Sequence, residues 1–233
     1  MPIFLSQLFL IILFSISSAQ AKSYFSADKI PPDLLDKPLG QNSAEYKSEI
    51  EQIIKLQKHV SRAEIEKAQS EAQLSIELMT KAVDPKLSPQ NFPQLYNLLE
   101  RSFDTMISVN DDAKKYWNTK RPYLVDKRIK LLVSPANNPA YPSGHTSASY
   151  ILAKILGLLI EKRSADFQKR ADEIANHRVV SGMHFPNDLK GGRQLALLVL
   201  GGLLQNNEFL VDLEKAKKEL RAAEAAEIKR QIK

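Results

Sequence analysis

Cysteine is absent from this 233-residue chain. That removes disulfides, thiolate metal sites and a cysteine nucleophile together. Glycine is scarce at 8 residues and proline stands at 12, which excludes collagen-like and low-complexity material. So little glycine also argues against an all-β chain with its many tight turns. Neither sign of charge dominates. Lys and Arg number 33 against 27 Asp and Glu, a net +6. A mild excess suits an anionic substrate and is too small and dispersed to argue for nucleic acid. Charged residues at 26% and hydrophobic ones at 43% sit near globular averages, so bulk disorder and a multi-span membrane protein are both excluded.

Residues 1–21 differ in character from the rest of the chain. Pro2 to Ala21 contain no charged side chain, Phe4 to Phe14 is strongly apolar, and Ala19-Gln20-Ala21 is a small-x-small site before Lys22. This predicts a secretory signal peptide cut after Ala21, and hence a periplasmic protein. The segment lacks a Lys or Arg ahead of its apolar run, so an uncleaved membrane anchor is the alternative. No later apolar run reaches membrane-spanning length; Tyr150 to Ile160 and Leu195 to Leu204 are each the size of a buried core helix.

Residues 22–43, with Pro31-Pro32, Pro38 and Gly40, read as an extended lead-in to a domain over 44–233. From Ala44 to about Ala82, apolar residues recur at threes and fours, which predicts one long helix. A second follows from Leu95 and ends before Arg121-Pro122. Asn137 to Pro142 is a loop. Further helices are expected at about 144–161, 164–180, 187–205 and 208–230, the last with Leu210, Leu213 and Leu220 on one side. No β-alternation of useful length and no internal repeat is visible. The fold class is therefore all-α, a single helical bundle. The N-terminal stripe can close its own core or pack on a second copy, so a homo-oligomer stays open.

Three short segments carry chemistry. In Pro142-Ser143-Gly144-His145, the prolines stop any preceding helix and an apolar helical run begins at once. Ser143 is a natural N-cap, and the free amides after it form an anion site beside His145. An ordinary cap with an exposed His is the plainer alternative. In the second segment, Arg178 is followed after five residues by His184 and after three more by Asp188. Asp188 can reach back to His184, fixing one tautomer and leaving the other ring nitrogen basic or nucleophilic. The plainer alternative is a surface His–Asp pair. The third segment is Lys114, six residues, then Arg121-Pro122. A spacing of seven puts both cations on one side of a helix two turns apart, or simply furnishes a basic helix end.

In order the segments read Lys-x6-Arg-Pro, Pro-Ser-Gly-His and Arg-x5-His-x3-Asp. The pattern resembles the signature of the type 2 phosphatidic acid phosphatase superfamily, which includes class A bacterial nonspecific acid phosphatases, membrane lipid phosphatases and vanadium haloperoxidases. It covers residues 114 to 188, about a third of the chain. In that family a Ser often precedes the second Arg; here it is His177, which is left without a role.

The resemblance implies a helical bundle of the vanadium chloroperoxidase type and a phosphate cradle of Lys114, Arg121, Ser143, Gly144 and Arg178. It implies that His184 is the nucleophile and forms a phosphohistidine, that Asp188 orients it, and that His145 protonates the leaving alcohol and then activates water. No metal and no cofactor is expected, since the cations would replace metal ions; small phosphorylated substrates are the expected partners, with phosphate or vanadate competing for the cradle. The leading expectation is a secreted, metal-independent acid phosphatase of broad phosphomonoester range. A lipid phosphatase, a vanadium haloperoxidase and a non-enzymatic periplasmic phosphate-binding scaffold remain as alternatives.

Overall fold

Prolines and serines set where the helices of this chain begin. The computed structural model describes residues 22–231; the leader expected over 1–21 lies outside them. Ser43 caps α1 (Ala44–His59) by accepting from the Tyr46 amide. Ser61 caps α2 (Arg62–Ser70) in a full capping box with Glu64. Then come α3 (Glu77–Val83), α4 (Pro93–Trp117), the single turn α5 (Pro122–Val125) and α6 (Gly144–Leu159). The set closes with α7 (Ser164–Val180), α8 (Pro186–Leu204) and α9 (Asn207–Gln231). Pro93, Pro122 and Pro186 stand in the first turns of α4, α5 and α8, where a missing N–H costs nothing. Among the described residues there is no strand, and the fold is all-α.

The long helix expected over 44–82 is instead three helices. Val60 is extended, and the capping box at Ser61 starts a new helix there. Local hydrogen bonding to an N-cap wins over a continuous apolar stripe. A second difference lies in α9. Its inner face is Phe209, Leu213 and Ala216, spaced four and three apart on one side, whereas Leu210 lies about 100° round from Phe209 and is 39% exposed.

α6 is the hub. It is apolar around most of its surface and packs on α7, α8 and α4. α9 lies against α4, and the lead-in joins the same core through Tyr24, Ile30 and Leu35.

Two glycines let α8 come close to the start of α6. A Cβ on Gly192 would stand 2.8 Å from the Ser143 carbonyl oxygen, and one on Gly191 would stand 2.3 Å from Cε2 of Tyr141. The Tyr141 ring is fully buried and cannot retreat easily: its hydroxyl donates to the Asp36 carbonyl (2.6 Å) and its amide to Thr119 Oγ1 (2.9 Å). Gly191→Ala is therefore expected to destabilise the fold by about 1–3 kcal/mol, through overpacking. Urea denaturation checks this; an unchanged midpoint would mean that Tyr141 yields freely.

Candidate active site

The end of α4 does not run on to Arg121. Asn118 takes the left-handed conformation (φ 43°, ψ 47°) and stops the helix after Trp117. Lys114 is thus in the last turn of α4, and Arg121 precedes α5 outside it. They are not two turns apart on one helix, as their spacing suggested. They meet because both reach the 137–142 loop. Lys114 Nζ donates to the carbonyls of Pro139 (2.6 Å) and Ala140 (3.0 Å), and Arg121 Nη2 donates to that of Pro139 (3.2 Å).

The spacing between Arg178 and His184 has a local cause. At the end of α7 the chain turns through Gly182 with φ 75°, and the amides of Met183 and His184 both donate to the Arg178 carbonyl at 3.1 Å. A side chain at Gly182 would also strike the Lys130 carbonyl, 2.5 Å from its Cβ position. His184 is thereby hung directly over Arg178. Asp188 then acts twice in the first turn of α8. Its Oδ2 accepts the Phe185 amide (2.9 Å) and faces His184 Nδ1 (3.1 Å). Its backbone carbonyl accepts the Ser143 amide at 3.0 Å, which ties this turn to the start of α6.

The three sequence segments therefore converge on one site. Ser143 Oγ accepts from Thr146 Oγ1 (2.9 Å) and the Thr146 amide, so its own hydroxyl hydrogen is what it has left to give. Gly144 sits against Asn110, whose Oδ1 would be 3.2 Å from an added Cβ. His145 is part-buried, not a solvent-exposed residue beside a cap. Its Nε2 faces the Glu71 carbonyl at 3.1 Å.

The tautomer of His184 is fixed from both sides. Asp188 holds Nδ1, and Arg121 Nη1 lies 3.1 Å from Nε2. A guanidinium only donates, so Nε2 accepts and keeps its lone pair. Burial, reinforced by Arg121, Lys114 and Arg178, holds the His184 imidazole well below its usual range. Burial pushes the Asp188 carboxyl up. Burial and then Arg121 lower Lys114, and the same two causes bring Arg178 down to about 10.

The cations differ in what they have free. Arg121 already donates to the Met183 carbonyl, to His184 and to the Asn138 and Pro139 oxygens. Arg178 has Nε and Nη1 buried with no hydrogen-bond partner. Unpaired buried guanidinium donors are expensive. Lys114, Arg121 and Arg178 are all 4% exposed or less, with Asp188 among them and Glu71, itself paired to Arg170, acting on Arg178. Such a group fits an anion with several oxygens. Asn138, Asn110 and Glu71 also build the site, and no motif in the sequence marked them. Among the described residues no three His, Asp or Glu side chains gather to hold a metal ion.

Residues 103–210 match the model of the PAP2 superfamily. That match spans somewhat under half of the chain. The matched stretch holds all eight residues of the site named from the sequence, and it leaves Glu71 outside. An acid phosphatase of Zymomonas mobilis is 32% identical over 146 residues, covering 61% of this chain and 55% of the relative. A non-specific acid phosphatase of Salmonella typhimurium is 28% identical over 163 residues, covering 66% and 65%. The chain thus matches somewhat more than half the length of these relatives. A bacterial vanadium-dependent iodoperoxidase superposes with a TM-score of 0.54 at 17% identity, covering 72% of this chain and 51% of that one. A transmembrane PAP2-type phosphatidylglycerolphosphate phosphatase of Bacillus subtilis gives 0.51 at 19% identity, covering 72% and 89%. At these identities the likeness concerns the fold. No helix among the described residues is long and apolar enough to cross a membrane.

Proposed function

We propose that this protein is an acid phosphatase that hydrolyses phosphate monoesters through a phosphohistidine on His184, without a metal ion. One observation carries the reading: an imidazole with Nδ1 on Asp188 and Nε2 facing three buried cations, one of which has two unpartnered donors. Phosphoryl transfer asks mainly for positioning and for neutralisation of the equatorial oxygens. Arg178, Arg121 and Lys114 supply the charge, and the Gly144 and His145 amides at the start of α6 supply donors. The named relatives, both acid phosphatases, support the same reading.

In the first step His184 Nε2 forms a bond to phosphorus as the ester P–O bond breaks. The alkoxide takes from His145 Nδ1 the proton that the phosphate monoester brought in and handed to that nitrogen. In the second step His145 accepts a proton from water, the hydroxide attacks phosphorus, and the P–N pair returns to Nε2. Because Nε2 of His145 faces a carbonyl that only accepts, Nδ1 is the nitrogen that exchanges the proton. Export to the periplasm, through the apolar segment 1–21, belongs to the same proposal.

Burial, then Arg178, and more weakly Lys114, pull His145 down to about 3. Above that pH it meets the substrate neutral, so the proton for the leaving alcohol must arrive on the phosphate. A phosphomonoester loses that proton with a pKa of about 6. Hence kcat/KM is expected to be level between about pH 4 and 6 and to fall about tenfold per unit above it. An assay with glycerol phosphate, whose leaving alcohol needs the proton, across pH 3.5–9 with EDTA present tests this. No turnover would favour the scaffold alternative, EDTA sensitivity would remove metal independence, and activity rising through pH 7 would contradict the proton inventory.

A further inference from the structure

We infer that Glu71 is a positioning residue for His145, gripped by His177 and Arg170 so that its own backbone carbonyl aims the imidazole. The inference rests on the phosphatase reading given above and extends it to residues that lie outside the signature.

Glu71 follows the last residue of α2 and is 1% exposed. Its Oε2 lies 2.6 Å from His177 Nδ1 and its Oε1 2.7 Å from Arg170 Nη1. Those partners are seven residues apart, two rungs on one face of α7. Arg170 is itself fixed, since its Nε donates to the Leu78 carbonyl at 2.9 Å. The side chain of Glu71 is thus held to α7 by its hydrogen bond with His177 and by an ion pair with Arg170 that is not aligned as a hydrogen bond, and its main chain is held with it.

That main chain is what touches the site. The Glu71 carbonyl belongs to the end of α2, where helix carbonyls lack intrahelical partners and carry partial negative charge. His145 Nε2 lies 3.1 Å from it. The contact holds the ring in plane and favours the imidazolium that forms when His145 takes a proton. A buried ion cluster adds little stability over an apolar one of the same volume, whereas it does fix a geometry. Glu71 offers such a fixed geometry next to a catalytic ring. The position also explains His177, which the signature left idle. Arg178 points into the cradle while its neighbour His177 holds the carboxylate that aims the acid.

The test must separate aiming from folding. A structural lesion lowers the active fraction and slows every substrate equally. A misaimed proton donor slows poor leaving groups most. Single-turnover release of alcohol is measured for p-nitrophenyl phosphate and for glycerol phosphate, in wild type, Glu71→Gln, His177→Gln and the double variant. We expect the ratio of the glycerol phosphate rate to the p-nitrophenyl phosphate rate to fall about tenfold or more in each single variant, a misplacement effect. The double variant is expected to be no worse than the poorer single one, because both act through the same contact. His177→Gln keeps the Arg170 clamp, so it carries the test if Glu71→Gln does not fold. Equal proportional losses on both substrates, or no loss, overturn the inference and leave the phosphatase reading standing. A wild type that releases neither alcohol overturns both.

Discussion

His184→Ala is expected to lose turnover on every phosphomonoester, by on the order of 10⁴-fold or more, the scale at which a covalent unit fails. No leaving group rescues it, because the attacking atom is gone. His145→Ala is expected to behave differently. It keeps His184, with Nδ1 on Asp188 and Nε2 free to attack, so the first step survives where the leaving group needs no proton. p-Nitrophenolate should be released once, in a burst, and glycerol phosphate should scarcely react. The second step then lacks the base that activates water, and the enzyme stalls as the phosphoenzyme. A phosphoramidate is destroyed by acid, so the quench must be alkaline, followed by peptide mass spectrometry. The label is expected on His184 in the His145→Ala protein and absent from His184→Ala. A label on His145 or Ser143 would reverse the roles and leave the phosphatase reading intact.

The same residues show what was legible in the sequence. Every contact that ties His184 to Arg178 and Asp188 lies within eleven residues, and its spacing follows from a glycine turn and a helix cap. Chemistry of that range can be read from a string. So could Ser143 as a cap, since proline before it and an apolar run after it leave one place for α6 to start. Lys114 and Arg121 were legible as a pair but not as a geometry. Periodicity put them on one helix, and the left-handed Asn118 takes Arg121 off it. The carbonyls that reunite them belong to Pro139 and Ala140, in a loop with no repeat to read. Glu71 was not legible at all. Its partners lie 99 and 106 positions away, and its approach to His145 is through a backbone atom, which every residue possesses. The break at Val60–Ser61 places it there, and a continuous helix would have carried it elsewhere.

Arg178→Met is expected to lower kcat/KM by about 10²- to 10³-fold while leaving the protein at least as stable. Its Nε and Nη1 are buried and bonded to nothing in the protein, so their removal breaks no internal hydrogen bond. Loss of one preorganised donor commonly costs about 2.7–4 kcal/mol of transition-state stabilisation. Burying an unpaired guanidinium beside Arg121 also costs the fold desolvation and like-charge repulsion, and methionine of similar volume removes both. Arg121→Met makes the contrast. That side chain holds Asn138, Pro139 and Met183 by their carbonyls and also touches His184, so its loss should lower both activity and thermal midpoint. Thermal denaturation and p-nitrophenyl phosphate kinetics on the two variants decide the matter. Protection by inorganic phosphate sharpens it: 100-fold excess over Kd should add about 2.7 kcal/mol to wild-type stability, and much less to Arg178→Met. An Arg178 variant that binds phosphate and turns over like wild type would move the anion site away from this cradle.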